Sequence, residues 1–508
     1  MDDPRLQSII VAGGGTAGWM AAASLVRKFG SNRHTRITVV ESSQIGTIGV
    51  GEATVPAIRP WLESLKINEI DFIKRCNATF KLAIGFDGWA GEGSHFFHPF
   101  AEHGLPMSGV PFQHLWTRMH QAGKASSIDA YCLGSQLASN NRFALPRKDE
   151  RGELLFNYAY HFDAALVAAY LKSWSMTHGV RHIDARIDTV EQNSETGDVT
   201  GLVLEGGRVL TGDFFIDCTG FQGLLIEKTL KTGYDTWSQW LPCDRAVAIP
   251  CESRQEPAPY TRSMACEAGW QWRIPLQHRV GNGYVYCSDY LSDDRAMTDL
   301  MRNLEGPAIA EPRLIPFVTG MRRNIWTRNV FALGLASGFL EPLESTSIYL
   351  VQTSIQSLIN NFPTRRDNPH LRDEVNRRNR EHQEHLRDFI ILHYALNKRV
   401  GQPFWDRCRA MSLPDSLAAQ IELFRHTGRI QAGANDFFRY SSWLAMFAGF
   451  GVVPEYYHPS ADDIALADLE REFEGMKGGI DTAVEGALSH QDFIARNCAA
   501  ARMAEAVQ

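Results

Sequence analysis

The chain has 508 residues, 44% of them hydrophobic, and a net charge of −7, which allows a large core in two or three modules and argues against a nucleic-acid partner. Its nine cysteines include no C-x-x-C pair, and an odd count suits reduced thiols in a cytoplasm better than a disulfide framework. Met1-Asp2-Asp3 is acidic and no apolar run approaches the roughly 18 residues of a membrane span, so neither a signal peptide nor a membrane partner is expected.

The first element is a short apolar strand at Ile9 to Val11, followed by Gly13-Gly14-Gly15-Thr16-Ala17-Gly18 and a helical stretch from Trp19 to Val26. This is G-x-G-x-x-G between a strand and a helix. Gly13 permits the tight turn, Gly15 lets the backbone approach a pyrophosphate, and Gly18 lets helix and strand pack closely. A second strand, Arg36 to Val40, ends in Glu41, the place expected of a carboxylate that holds a ribose hydroxyl. Two later segments, Asp213 to Gly220 and Asn329 to Gly334, read as buried strands ending at glycine turns.

Between these segments, Phe80, Leu82, Ile84 and Phe86 alternate as in a half-buried strand and put Lys81 on the opposite face. That leaves two readings, a surface lysine lying along apolar neighbours or a functional amine. His98-Pro99-Phe100 reads as loop packing or as a surface for an aromatic ring. In Trp270-Gln271-Trp272-Arg273-Ile274-Pro275 the tryptophans share one face of a strand, the ordinary pattern of a core. Glu341-Pro342-Leu343-Glu344-Ser345-Thr346 precedes an amphipathic run through Ile348, Leu350, Val351, Ile355, Leu358 and Ile359. Ser345 or Thr346 is therefore expected to cap a helix, with Glu344 near its positive end and free N–H groups offering an anion site beside Thr346 and Ser347.

Pro363 to Pro369 is the best module boundary. Beyond it, Asn376 to Leu396 reads as a long polar helix, with Arg377, Arg378 and Arg380 on a solvated face. Its Glu381-His382-Gln383-Glu384-His385 has the wrong spacing for a metalloprotease, so it is assigned to an exposed face and no metal site is expected. Phe437, Phe438, Tyr440, Trp443, Phe447 and Phe450 give the C-terminal region an aromatic character, part of it helix core.

Four of these segments together resemble the flavin-dependent halogenases. Gly49-Val50-Gly51-Glu52-Ala53-Thr54-Val55-Pro56 is similar to the family's flavin-contacting strap, and Thr79-Phe80-Lys81-Leu82-Ala83-Ile84 to the segment carrying its essential lysine. The W-x-W-x-I-P stretch is similar to its tryptophan pair, and Glu341 to Thr346 to the segment with its active-site glutamate and halide-side backbone. The resemblance implies an α/β fold, an FAD-binding Rossmann-like domain of the p-hydroxybenzoate-hydroxylase type with an inserted β-sheet substrate region and a mostly helical C-terminal module. Residues 1–362 would form the discontinuous FAD domain, interrupted at about 61–158 and 225–320, and 363–508 the substrate-covering module. Flavin contacts would come from Gly13, Gly15, Thr16, Ala17, Gly18, Glu41, Gly51, Glu52, Ala53, Thr54, Gly334 and Leu335.

The implied reaction uses reduced FAD, O2 and halide, chloride or bromide, to form hypohalous acid, which passes through a tunnel to an electron-rich, indole-like aromatic. Lys81 would meet the electrophile, and Glu344 would accept the proton lost on rearomatisation. Thr346 and Ser347 would flank the halide, while His98, Pro99, Phe100 and Trp443 would hold the ring by stacking. Trp270 and Trp272, with Ile274 and Pro275, would keep the organic substrate away from the flavin. No NAD(P)H site accompanies the fingerprint, so a separate NAD(P)H-dependent flavin reductase is the implied partner; a homodimer is left open.

The chain departs from the family's pattern in three ways. Ser347 stands where tryptophan halogenases usually have glycine, which removes backbone freedom at the halide site. Leu335 stands where related hydroxylases have a ribityl-binding aspartate, which suits a reduced flavin arriving by diffusion. No residues match those that grip an amino acid's ammonium and carboxylate. The alternatives are a flavin-dependent hydroxylase or other oxidoreductase on the same fold, which the tryptophan pair disfavours, and a non-catalytic flavin-binding protein, which intact Lys81 and Glu344 disfavour.

Overall fold

The computed structural model describes residues 5–30, 34–45, 51–148, 152–365, 368–433 and 436–501. Met1-Asp2-Asp3 and the Gly49-Val50 start of the strap lie outside the described residues. The apolar strand Ser8–Ala12 occupies the middle of a six-stranded sheet, in the order Trp326–Thr327, Val330–Ala332, Phe214–Asp217, Ser8–Ala12, Arg36–Glu41, Arg181–Asp184. All pairs are parallel except the one at the Trp326–Thr327 edge. Near-continuous apolar strands of this kind require cover on both faces. The helix Thr16–Phe29 covers one, burying Trp19 to Val26. On the other, Ile10, Ala12, Val40 and Phe215 pack against Val199, Leu202 and Leu204 of a small antiparallel sheet.

The fingerprint glycines are fixed by contact. Gly13 has φ +108°, and a Cβ there would lie 2.3 Å from the Cys218 carbonyl oxygen. A Cβ on Gly18 would lie 1.9 Å from the Gly13 carbonyl oxygen, whereas Gly15 meets nothing within 4 Å. The outer two thus serve the turn and the strand–helix contact, and the middle one leaves space.

A seven-stranded sheet runs Arg313–Pro316, Arg245–Cys251, Val280–Tyr286, Gly269–Pro275, Tyr260–Cys266, Ala83–Asp87, His95–Pro99. Its one parallel pair joins Tyr260–Cys266 to Ala83–Asp87. A three-stranded sheet of Gly51–Ala53, Ala159–Asp163 and Thr79–Lys81 packs beside it. The single half-buried strand expected around Lys81 is therefore two strands in different sheets, and the chain switches at Leu82, whose N–H donates to the Pro259 carbonyl. Both faces are covered, so the alternation marks no exposed side and Lys81 is fully buried.

Beyond Pro369 the chain is mostly helical, although Leu488–Ser489 forms a short strand on Arg142–Phe143. The long helix runs Pro369–Ala395 and is polar only in its first half, where Arg377 and Arg378 pair with Glu374. From Leu386 to Tyr394 it is largely buried, against Phe86, Trp89, Phe438, Trp443 and Phe450. Among the described residues no helix is long and apolar enough to cross a membrane. The tight Gly13 turn generates the first prediction. Gly13→Ala should lower the unfolding free energy by about 1–3 kcal/mol and abolish flavin retention, measured by urea titration and flavin fluorescence; wild-type values for both would mean that the turn tolerates a side chain.

Candidate active site

The carboxyl ends of the parallel strands open onto a groove of about 760 Å³. Gly13, Gly15, Thr16, Ala17, Glu41, Gly51, Glu52, Ala53, Gly334 and Leu335 all line it. Gly18 lies beneath the turn instead, and Thr54 is buried with its hydroxyl hydrogen-bonded to the Tyr160 backbone. Glu41 is already engaged. Its Oε1 accepts from Lys172 Nζ at 2.7 Å and lies 3.0 Å from His182 Nε2, and its Oε2 faces Trp19 Nε1 at 3.4 Å. Burial raises the Glu52 carboxyl to about 7. Trp272, Ile274, Ser345 and Ser347 also line it, whereas Pro275 contributes its carbonyl to the Thr79 hydroxyl at 2.7 Å.

Ser345 has φ +58°, the left-handed region that a non-glycine residue seldom adopts. The expected cap is not made, because no side chain caps the helix Thr346–Asn360. Lys81 Nζ donates instead to Ser345 Oγ at 2.8 Å, to the Thr54 carbonyl at 3.0 Å, and lies 5.1 Å from the Phe100 ring centre. Burial lowers the Lys81 amine to about 7, against the pull of Glu344. Thr346 Oγ1 is buried without a partner among the described residues, while Ser347 faces the groove.

Glu344 is 1% exposed, and its two oxygens are taken by two histidines. Oε2 lies 2.7 Å from His98 Nδ1 and Oε1 lies 2.8 Å from His393 Nε2. Burial pushes the carboxyl up, but His98 and His393 outweigh it and hold it at about 2. His98 packs against Phe389 and Phe438, whose rings stack 3.7 Å apart. Trp443 stands edge-on to Phe389 and donates to the Phe438 carbonyl. Pro99 sits in the sheet opposite Ala83.

Sequence reasoning missed His393, Phe389 and Glu341, and it saw Ser345 only as a cap. The signal for the first two is the apolar run from Phe389 to Leu392, directly before His393, inside a helix otherwise polar in sequence. Glu341 is fully buried; its Oε2 accepts from Trp270 Nε1 at 3.1 Å and from the Tyr394 hydroxyl, and burial raises it to about 7. His382 and His385 are half-buried with enclosed Nε2 atoms, which corrects their assignment to an exposed face. Among the described residues no group of three or more side chains is placed to hold a metal.

A dinucleotide groove divided by one serine from a buried amine and carboxylate, with a double-tryptophan strand alongside, is the architecture of a flavin-dependent halogenase. Residues 8–465 match the tryptophan halogenase family, and the chain belongs to it. It is 35% identical to the tryptophan 6-halogenase ThaL of Streptomyces albogriseolus, over 97% of this chain and 98% of that protein. Among solved structures, a flavin-dependent halogenase from Xanthomonas campestris superposes with a TM-score of 0.94 at 43% identity, covering 98% of this chain and 99% of that one. BrvH, a flavin-dependent halogenase from a Brevundimonas species, gives 0.93 at 44% identity, covering 97% and 100%.

The buried amine has a measurable consequence for stability. Its folded pKa, near 7, is below the unfolded 10.5, so the unfolded chain binds more protons between those values and stability rises with pH across that window. Lys81→Met should therefore stabilise the fold most below pH 7, with the gain shrinking toward pH 10. Urea unfolding of both proteins at pH 6 and pH 10 checks this, and an equal difference at both would mean that the amine is not depressed.

Proposed function

We propose that the protein uses reduced FAD, O2 and halide to halogenate an indole-like or phenolic ring. The observation that carries this reading is Lys81, a fully buried amine one hydroxyl away from the groove and hydrogen-bonded to Ser345, the residue next to the Glu344 carboxylate. The groove fits a flavin dinucleotide: Gly15 leaves open space at the start of the helix Thr16–Phe29, where free N–H groups favour phosphate. When bound, reduced flavin supplies with O2 the oxidising equivalent that turns halide into hypohalous acid. A separate NAD(P)H-dependent flavin reductase supplies the reduced flavin.

Each residue then has a task that its surroundings allow. The Lys81 amine holds hypohalous acid by hydrogen bonding or carries the halogen itself, which the uncharged form near pH 7 permits. Glu344 supplies the negative charge that draws the proton off the halogenated ring. Thr346 and Ser347 receive the halide, and Trp270 and Trp272 keep the aromatic substrate out of the groove. Phe100, His98 and Trp443, together with Phe389 and Phe438, supply the aromatic wall. In this reading residues 1–362 carry the flavin and 363–508 close over the substrate.

Lys81→Met should abolish halogenation while reduced flavin is still oxidised by O2. Glu344→Gln should reduce product by about 10²- to 10⁴-fold. Mass spectrometry of brominated product against the rate of flavin reoxidation reads both, and undiminished product from either variant would remove that residue from the chemistry.

Substrate choice follows from charge. A zwitterionic amino acid would need buried partners for its ammonium and carboxylate, and the sequence offers no recognisable match to the family's grip on those groups. Free indole, attacked at C3, should therefore show a higher kcat/KM than L-tryptophan, and bromide should be used in preference to chloride where Ser347 replaces glycine. Steady-state comparison of the two substrates, in equimolar halides, decides it; faster turnover of tryptophan with halogen on its benzo ring would reveal an amino-acid clamp.

A further inference from the structure

The residue that finally receives the ring proton can be read from the hydrogen-bond directions around Glu344, granted the halogenation reading on which this inference rests. His393 Nδ1 lies 2.7 Å from the Phe389 carbonyl oxygen, and a carbonyl can only accept. Nδ1 therefore carries a hydrogen. His393 Nε2 lies 2.8 Å from Glu344 Oε1, so a second hydrogen stands between them, on the imidazole or on the carboxyl. The Glu344–His393 pair is thus already loaded with one proton. Its remaining oxygen, Oε2, faces His98 Nδ1 at 2.7 Å.

We propose that His98 Nε2 takes the proton from the halogenated ring, and that Glu344, held by His393, is the group that orients and steadies His98. With Nδ1–H donated to Glu344 Oε2, the Nε2 of His98 keeps its lone pair. A carboxylate that fixes one imidazole tautomer and then stabilises the imidazolium is the working part of a serine-protease triad. Here the same pair sits beside the Phe389 and Phe438 rings. Glu344 makes a poor terminal acceptor for the converse reason, since both oxygens are engaged and two histidines keep it strongly acidic.

His103 does not compete for the proton. It lies close to His98, but burial holds it at about 3, which makes it a poor base. In the step itself the C–H bond at the halogenated carbon breaks, its electron pair returns to the ring, and an N–H bond forms at Nε2. His98 becomes an imidazolium paired with Glu344, and its proton later leaves to water.

The test uses the full-length enzyme under single turnover, with reduced FAD, O2, bromide, and either indole or indole deuterated at C3. In the wild type the two substrates should react at the same rate, because proton loss is fast. His98→Phe keeps an aromatic ring but no base; its rate should fall by about 10²- to 10⁴-fold and acquire a primary isotope effect, which a purely structural role would not produce. Added imidazole should restore part of the rate to His98→Ala, which keeps the proposal testable if the Phe variant does not fold. Loss of rate in His98→Phe without an isotope effect and without imidazole rescue of His98→Ala would overturn the assignment. Wild-type enzyme that forms no brominated indole would instead overturn the halogenation reading beneath it.

Discussion

Ser345, at φ +58° and ψ +33°, joins the short turn Pro342–Glu344 to the helix Thr346–Asn360. The left-handed step sends consecutive side chains to different partners. Glu344 goes to His98 and His393; Ser345 goes to Lys81 and the groove. A helical or extended residue at this position would turn one of the two away. The conformation costs about 1–2 kcal/mol for an L-residue, and a hydrogen bond returns a similar amount, about 0.5–1.5 kcal/mol. The strain is thus sustained by the contact that it creates, and the geometry of the reactive pair depends on both.

Two ionisable groups are buried within this arrangement, and the protein handles them in opposite ways. Lys81 has two neutral acceptors, the Ser345 hydroxyl and the Thr54 carbonyl, so desolvation prevails and its amine drifts toward neutrality. Glu344 has two imidazoles, so hydrogen bonding and charge prevail over the same desolvation and it stays ionised. A neutral amine and a fixed carboxylate are what an electrophile and the loss of a proton respectively require. Had both groups been paired with each other, each would have held the other charged.

The sequence displays those features that local geometry dictates. The glycine fingerprint is legible because Gly13 and Gly18 answer to contacts within a few residues of themselves or directly across the adjoining strand. Lys81 was ambiguous because period-two alternation presumes one sheet with one wet face, and here the chain changes sheets at Leu82. Ser345 reads as a cap in the sequence because capping rules assume an extended residue before the helix. His393 was hidden by averaging: the 27-residue helix is polar overall, while its second half is core. None of these misreadings concerns residue chemistry; each comes from a partner distant in sequence.

The double-tryptophan strand shows the same dependence on distant partners. Trp270 reaches Glu341, 71 residues away, and shares that carboxylate oxygen with the Tyr394 hydroxyl. Tyr394 is the neighbour of His393 on the long helix, and His393 holds Glu344. Consecutive residues of one helix therefore fix both ends of the segment from Glu341 to Glu344, while Trp270 clamps its first end from the sheet and Trp272 turns to the groove. Burial raises Glu341 to about 7, which lessens the negative charge it adds beside Glu344. Through Glu341, Trp270 thus helps set the position from which the left-handed step at Ser345 begins.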